Sequence, residues 1–217
     1  MTPHPLKRKL LRDLWHMRGQ ALAIALVLAS GVTTFVGAAS TLDSLQRTQA
    51  TFYADYRFAD LFATLKRAPD SLAQRIRALP GVSAAAVRVV GQATLDPTGF
   101  DEPVSAQMVS VPDRGGPPLN QLYLRSGRLP RAGHSDEVVV SEPFAEAHGL
   151  RPGDPLPATL HGRRRELTIV GVGLSPEFIY QIRPGAPFPD YQRYGVLWMN
   201  RSALAAAYDL EGAFNSV

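Results

Sequence analysis

The sequence predicts an α+β protein: one N-terminal transmembrane helix followed by a mixed α/β domain outside the membrane. Three observations predict it. Residues 19–42 form a run of 24 without a charged side chain. The basic excess is confined to the start of the chain. Beyond residue 58, short β-type alternations are punctuated by proline, glycine and helix-start signals.

The leader, residues 1–18, carries Lys7, Arg8, Lys9, Arg12 and Arg18 against the single acid Asp13. That is a net +4, and the rest of the chain is formally neutral. A compact basic segment beside an apolar run is the signature of an anionic membrane surface, not of DNA or RNA, so no nucleic-acid partner is expected. Leu6, Leu10, Leu14 and Trp15 share one side of a helix here. Such a helix lies in the inner interface, with Lys7, Arg8, Lys9, Arg12, Trp15 and Arg18 as anchors to membrane lipid.

As a helix, residues 19–42 extend about 36 Å, more than the roughly 30 Å of a bilayer's hydrocarbon core. Ser30, Thr33 and Thr34 can return their hydroxyls to the preceding turn. A cleaved secretory signal shares the basic start, and Val36-Gly37-Ala38 or Gly37-Ala38-Ala39 resembles its cutting site. Its apolar stretch is shorter than this one, however, so a retained span is expected. The positive-inside rule places the N-terminus in the cytoplasm and the main domain outside. Ala29, Thr33, Gly37 and Thr41 recur four apart. This row is either a face on which another helix packs in lipid or the chance product of an alanine-rich segment.

Helical spacing continues through Leu42, Leu45, Gln49, Phe52 and Tyr56. Residues 43–57 are therefore expected to form a stalk, standing off the membrane or packing on the outer domain. Residues 58–66 alternate like a strand, and Pro69-Asp70-Ser71 opens a helix to about Leu79. Residues 82–95 read as a strand, 96–99 as a turn, and 104–111 as its partner. After a Pro/Gly-rich loop, 137–140 read as a strand and 143–148 as a helix stopped by Gly149. Residues 156–161 and 166–172 form a hairpin with Arg163, Arg164 and Arg165 at its solvated tip. Residues 194–199 are a strand and 202–208 a helix. A division of this domain into two lobes near 112–135 is one arrangement of these elements.

Chemistry is harder to find. The 217 residues include no cysteine, which excludes thiol catalysis and cysteine-held metals. No phosphate-cradling GxxxxGK[ST], GxSxG, HExxH or EF-hand loop occurs. His134-Ser135-Asp136 holds the letters of a hydrolase triad, but neighbours in sequence cannot converge on one point. Asp96, Asp101 and Glu102 bracket a turn at a spacing foreign to calcium loops. No catalytic residue, cofactor or metal is expected. Residues 176–189, PEFIYQIRPGAPFP, are apolar without a period. Phe178, Tyr180 and Phe188 either fill a core beneath a loop or form an exposed edge for a partner or lipidic substrate.

LRDLWHMRGQALAIALVLASGVTTFVGAASTLDSL and YRFADLFATLKRAP resemble the opening of FtsX-like permease subunits of ABC transporters. DEVVVSEPFAEAHGLRPGD, LHGRRRELTIVGVGLSPEFIY and GVLWMNRSALAAAYDLEGAFN resemble the MacB-like periplasmic core domain that follows their first span. The resemblance implies an inner-membrane permease, paired as a homo- or heterodimer, without catalytic residues. A separate ATP-binding ABC subunit would hydrolyse ATP, and the periplasmic domain, residues 58–217, would act on lipoprotein, lipid or another export substrate. Permeases of this family carry further spans beyond such a domain, so a fragment or truncated product, incomplete at its C-terminus, is expected. The alternative from another class is a membrane-tethered or secreted binding module working without an ATPase.

Overall fold

The charge-free run folds as part of a single unbroken helix, α1 (Arg18–Asp55), in which no residue is buried. The structure, a computed structural model, describes residues 9, 12–13, 15–100, 102 and 104–217. At 38 residues, α1 is about 57 Å long. It is the one described helix long and apolar enough to cross a bilayer. Its leucines, valines and Phe35 all face outward, Phe35 being 74% exposed. Water would penalise that surface heavily, whereas lipid would not. Thr34 and Thr41 donate their hydroxyls to Ser30 O and Gly37 O at 2.9 Å, which neutralises these polar groups within the helix.

The chain divides into two compact units, residues 1–51 and 52–217. The second contains the last turn of α1 and everything after it. Its elements are β1 (Thr64–Pro69), α2 (Ser71–Arg77), β2 (Val90–Leu95), β3 (Val104–Val111) and β4 (Tyr123–Gly127). Then come β5 (Glu137–Ser141), α3 (Glu142–His148), β6 (Pro155–Leu160) and β7 (Arg163–Leu174). A 3₁₀ turn (Pro176–Phe178), β8 (Tyr194–Asn200), α4 (Arg201–Ala207) and β9 (Ala213–Ser216) complete the order.

Seven strands form one sheet in the order β4-β7-β5-β8-β3-β2-β6, and β6 pairs again with β7. β7, β5, β8, β3, β2 and β6 thus close into a ring, with β4 outside it. β7 can serve three partners because it is long: Arg163–Thr168 pairs with β6, and Thr168–Leu174 with β5 on one side and β4 on the other. Alternation sorts the side chains. Val104, Ala106 and Met108 of β3 join Val138, Val140, Leu197 and Met199 in the main core, which α3 and α4 cover with Phe144 and Leu204. Val109, Val111, Val139, Val196 and Trp198 turn to the other face and form a second core. β1 and β9 make a separate antiparallel pair, packed with α2 around Ala68, Ala73 and Phe214.

The expected elements appear with four corrections. Residues 58–62 do not pair as a strand; Ala63 exchanges both backbone hydrogen bonds with Val217, and β1 starts at Thr64. Residues 82–89 contribute a bridge at Arg88 and one backbone bond from the Ser110 N–H to Val89 O at 2.9 Å, and side chains take other groups beside them. Ser110 Oγ takes the Val89 N–H at 2.9 Å, and the Asn215 amide binds both the N–H and C=O of Val90. The three arginines are not the hairpin tip. His161 and Gly162 make that turn with φ of 48° and 77°, and Arg163–Arg165 pair along β7 with Leu160, Thr159 and Ala158. Finally, residues before and after 112–135 share one sheet within one compact unit, so there are not two lobes.

Candidate functional site

The end of α1 is the most constructed part of the molecule. No glycine or proline stops the helix there, yet it closes with a complete left-handed cap. Arg57 adopts φ 51°, its N–H donates to Ala54 O, and the Phe58 N–H reaches back to Tyr53 O at 2.9 Å. The apolar contact that accompanies such a cap is present as Tyr53 stacked on Phe58, centroids 4.4 Å apart. Phe62 continues this stack from Phe58, and a second row of rings, Phe52–Tyr56–Tyr123, runs from α1 to β4.

Asn120 fastens this cap to the sheet. It is 8% exposed and, like Arg57, left-handed, at φ 50°. Its N–H donates to Arg57 O, its Oδ1 accepts from Ala59 N at 3.0 Å, and the Gln121 N–H donates to Tyr56 O. Its Nδ2 donates to Glu177, 3.4 Å away. Glu177 in turn is gripped by both terminal nitrogens of Arg88, which also reaches Ser216 Oγ. That ion pair is largely withdrawn from water, at 12% and 17% side-chain exposure. One connected path therefore runs from the helix cap through Asn120 and Glu177 to the strand-edge residue Arg88 and to β9. A cleft of about 270 Å³, lined by Phe58, Phe62, Ile76, Val82, Leu119 and Arg88, lies beside it.

The residues singled out from sequence fall elsewhere. Ala29, Thr33, Gly37 and Thr41 are all exposed along α1, with open space around Gly37. Lys9, Arg12, Trp15 and Arg18 are helical and exposed, and the Arg18 guanidinium lies 5.8 Å from the centre of the Trp15 ring. Lys7 and Arg8, together with Leu6, Leu10 and Leu14, lie outside the described residues. Phe178, Tyr180 and Phe188 separate. Phe178 packs edge-on against Trp198 in the second core, whereas Tyr180 and Phe188 are 74% and 75% exposed. The loop bearing them is pinned at both ends. Ser141 Oγ donates to the buried Gln181, Arg193 binds Glu102 and Asp190, and Gln192 O meets His148 Nε2 at 2.9 Å. These contacts hold the Glu102 and Asp190 carboxyls below their usual range, the Arg193 hydrogen bond leading in each case.

Of the carboxylates weighed for calcium, Asp96 pairs with Arg164 and Glu102 with Arg193, and Asp101 lies outside the described residues. Among the described residues no three acidic or histidine side chains group as metal ligands. The junction around Asn120 was not visible beforehand. Its parts are single polar residues far apart in the chain, and no local pattern marks them.

Residues 21–208 match the family described as the MacB-like periplasmic core domain. The chain belongs to that family. The match starts inside α1, so the family's pattern takes in most of the apolar helix as well as the domain that follows. Among solved structures, this MacB-like chain is similar to the extracellular domain of the noncanonic ABC-type transporter YknZ from Gram-positive bacteria. Identity is 12% and TM-score 0.43, over 74% of this chain and 78% of that one. It is also similar to a domain of a Porphyromonas gingivalis protein described as a permease, at 12% identity and TM-score 0.32, over 64% of this chain and 59% of the other. A comparison with curated proteins finds no match.

Proposed function

We propose that this MacB-like chain is the N-terminal part of an ABC transporter permease. It couples ATP hydrolysis by a separate ATP-binding subunit to movement of the extracytoplasmic domain on lipoprotein, lipid or another export substrate. The observation that carries the reading is the continuity of α1. The same unbroken helix holds a lipid-length apolar run and, 13 residues beyond Leu42, a capped end built into the core domain. A helix that runs without a break from the apolar run into the capped residues 52–58 can transmit displacement, whereas a tether that only anchored a binding module would need no such continuity. The coupling itself requires interactions that differ between nucleotide states, and these the ATP-binding partner would supply.

In this reading residues 1–18 lie at the cytoplasmic face, residues 19–42 span the membrane, and residues 43–57 form the stalk. The Ala29–Thr41 row faces another helix, of a second permease copy or of a different permease subunit. Tyr180 and Phe188 meet the substrate or an extracytoplasmic partner. The test is reconstitution with the ATP-binding subunit in nanodiscs. ATP hydrolysis stimulated by the permease, and reduced severalfold in stimulation by Asn120→Ala while the complex still assembles, is the expected result. Failure to co-purify any ATP-binding subunit from the native membrane would overturn the reading and leave the tethered binding module.

A further inference from the structure

A second cleft, of about 210 Å³, borders the Ala86–Arg88 segment, and its ionisable lining groups among the described residues are arginines. Arg77 comes from α2, Arg88 from the segment before β2 and Arg201 from the start of α4. Among the described residues that line it, none is a carboxylate. Two of the three arginines have acidic partners outside the cleft, Arg88 with Glu177 and Arg201 with Asp70. Among the described residues Arg77 has no such partner; its Nε donates to Ala85 O at 3.2 Å, which leaves the outer edge of its guanidinium open.

Two further donors adjoin the cleft. Arg201 Nε is buried with no hydrogen-bond partner. Ser110, 4% exposed, accepts the Val89 N–H through its Oγ, and its own hydroxyl proton is available to the cleft it lines. Pro117 and Pro118, which close another wall, have no N–H and contribute a stiff rim. An open guanidinium edge, a guanidinium N–H without a partner and a hydroxyl around a small space are donors that a tetrahedral oxyanion takes.

We infer that this cleft is an oxyanion site for a phosphoryl group, held by Arg77 with Ser110 and the unpartnered Arg201 Nε behind it, while Arg88, its terminal nitrogens bound to Glu177, forms a wall. Its volume admits a phosphate ester head. The phosphoryl group belongs either to a soluble ester or to a lipid headgroup, and the two are distinguished below. Because Arg88 also grips Glu177, an occupant would sit one residue away from the junction at the end of α1.

The full chain in phosphatidylcholine nanodiscs is heated with glycerol 3-phosphate or with chloride at equal ionic strength, and again in discs containing phosphatidylglycerol. A saturable rise in unfolding temperature with glycerol 3-phosphate identifies a soluble ester; a rise only with phosphatidylglycerol identifies a headgroup. In either case Arg77→Gln is expected to weaken the apparent affinity at least tenfold. Arg77→Lys, which keeps the charge without the fork, serves if the glutamine variant does not fold, and is expected to weaken it severalfold. No rise beyond the chloride control in either disc, or an unchanged rise in the Arg77 variant that folds, overturns the inference.

Discussion

Glu137 shows how far a single side chain depends on its surroundings. It is 6% exposed at the start of β5, held by Arg128 through both carboxylate oxygens at 2.6 and 2.7 Å and by the Arg131 N–H at 2.7 Å. The Arg128 hydrogen bonds lower its pKa from about 4.5 to about 2, against the opposing effect of burial. A folded pKa below the unfolded one means a stabilisation fully present above about pH 4.5 and lost as pH falls toward 2. Glu137→Gln is therefore expected to lower stability by about 1–3 kcal/mol near neutrality and to flatten the acid limb between those pH values. Thermal unfolding followed from pH 7 to 2 reads both effects. Arg57 offers the opposite sign. A left-handed arginine is strained, and glycine adopts the same angle freely, so Arg57→Gly should stabilise by about 0.5–1 kcal/mol after the loss of chain entropy. A drop in melting temperature in that variant would show that the cap does not form as described.

Among the elements, β4 and β7 meet more closely than side chains would permit. Gly127 and Gly171 are paired across the strands. A Cβ on Gly127 would lie 2.2 Å from Val170 O, and one on Gly171 would lie 2.6 Å from Arg128 O. Both neighbours are backbone and cannot yield. Gly127 also has φ 76°, so Gly127→Ala is expected to cost about 2–4 kcal/mol by combining clash with strain. Chemical denaturation of the detergent-solubilised chain measures it, and a cost under about 0.5 kcal/mol, the scatter of an ordinary surface change, would contradict the packing. The consequence is more than local, since β4 carries Tyr123, the last ring of the row from α1. Hydrogen exchange in this variant should rise at residues 52–58 as well as in β4.

For the molecule as a whole, the prediction concerns the bilayer. The absence of native cysteine makes single-cysteine variants clean probes. Ser83→Cys, at an exposed site, is expected to react with an impermeant maleimide added to intact spheroplasts, and Lys9→Cys only after lysis. The intact chain should also stay in the pellet through carbonate extraction. Release of a chain freshly cut near Ala39 would show a removed signal in place of a span.

Periodicity along the chain was enough to place α1, the β2–β3 pair, the β6–β7 hairpin, and β5-α3 with its Gly149 stop. Each of these forms from residues close in sequence, and each buries one face whose spacing is written locally. The apolar run in particular needs no partner to be recognised, because lipid asks only for length and the absence of charge. The short strands β4 and β9 went unseen, and the strand expected from residue 82 begins to pair only at Arg88. Whether a backbone finds a ladder depends on what lies beside it: β9 meets β1 across some 150 positions, and Val90 meets the amide of Asn215. The same holds for the junction at Asn120 and for the arginine cleft. Neither has a motif, because proximity between distant polar groups is created by the packing of the sheet and is not encoded in any stretch of chain.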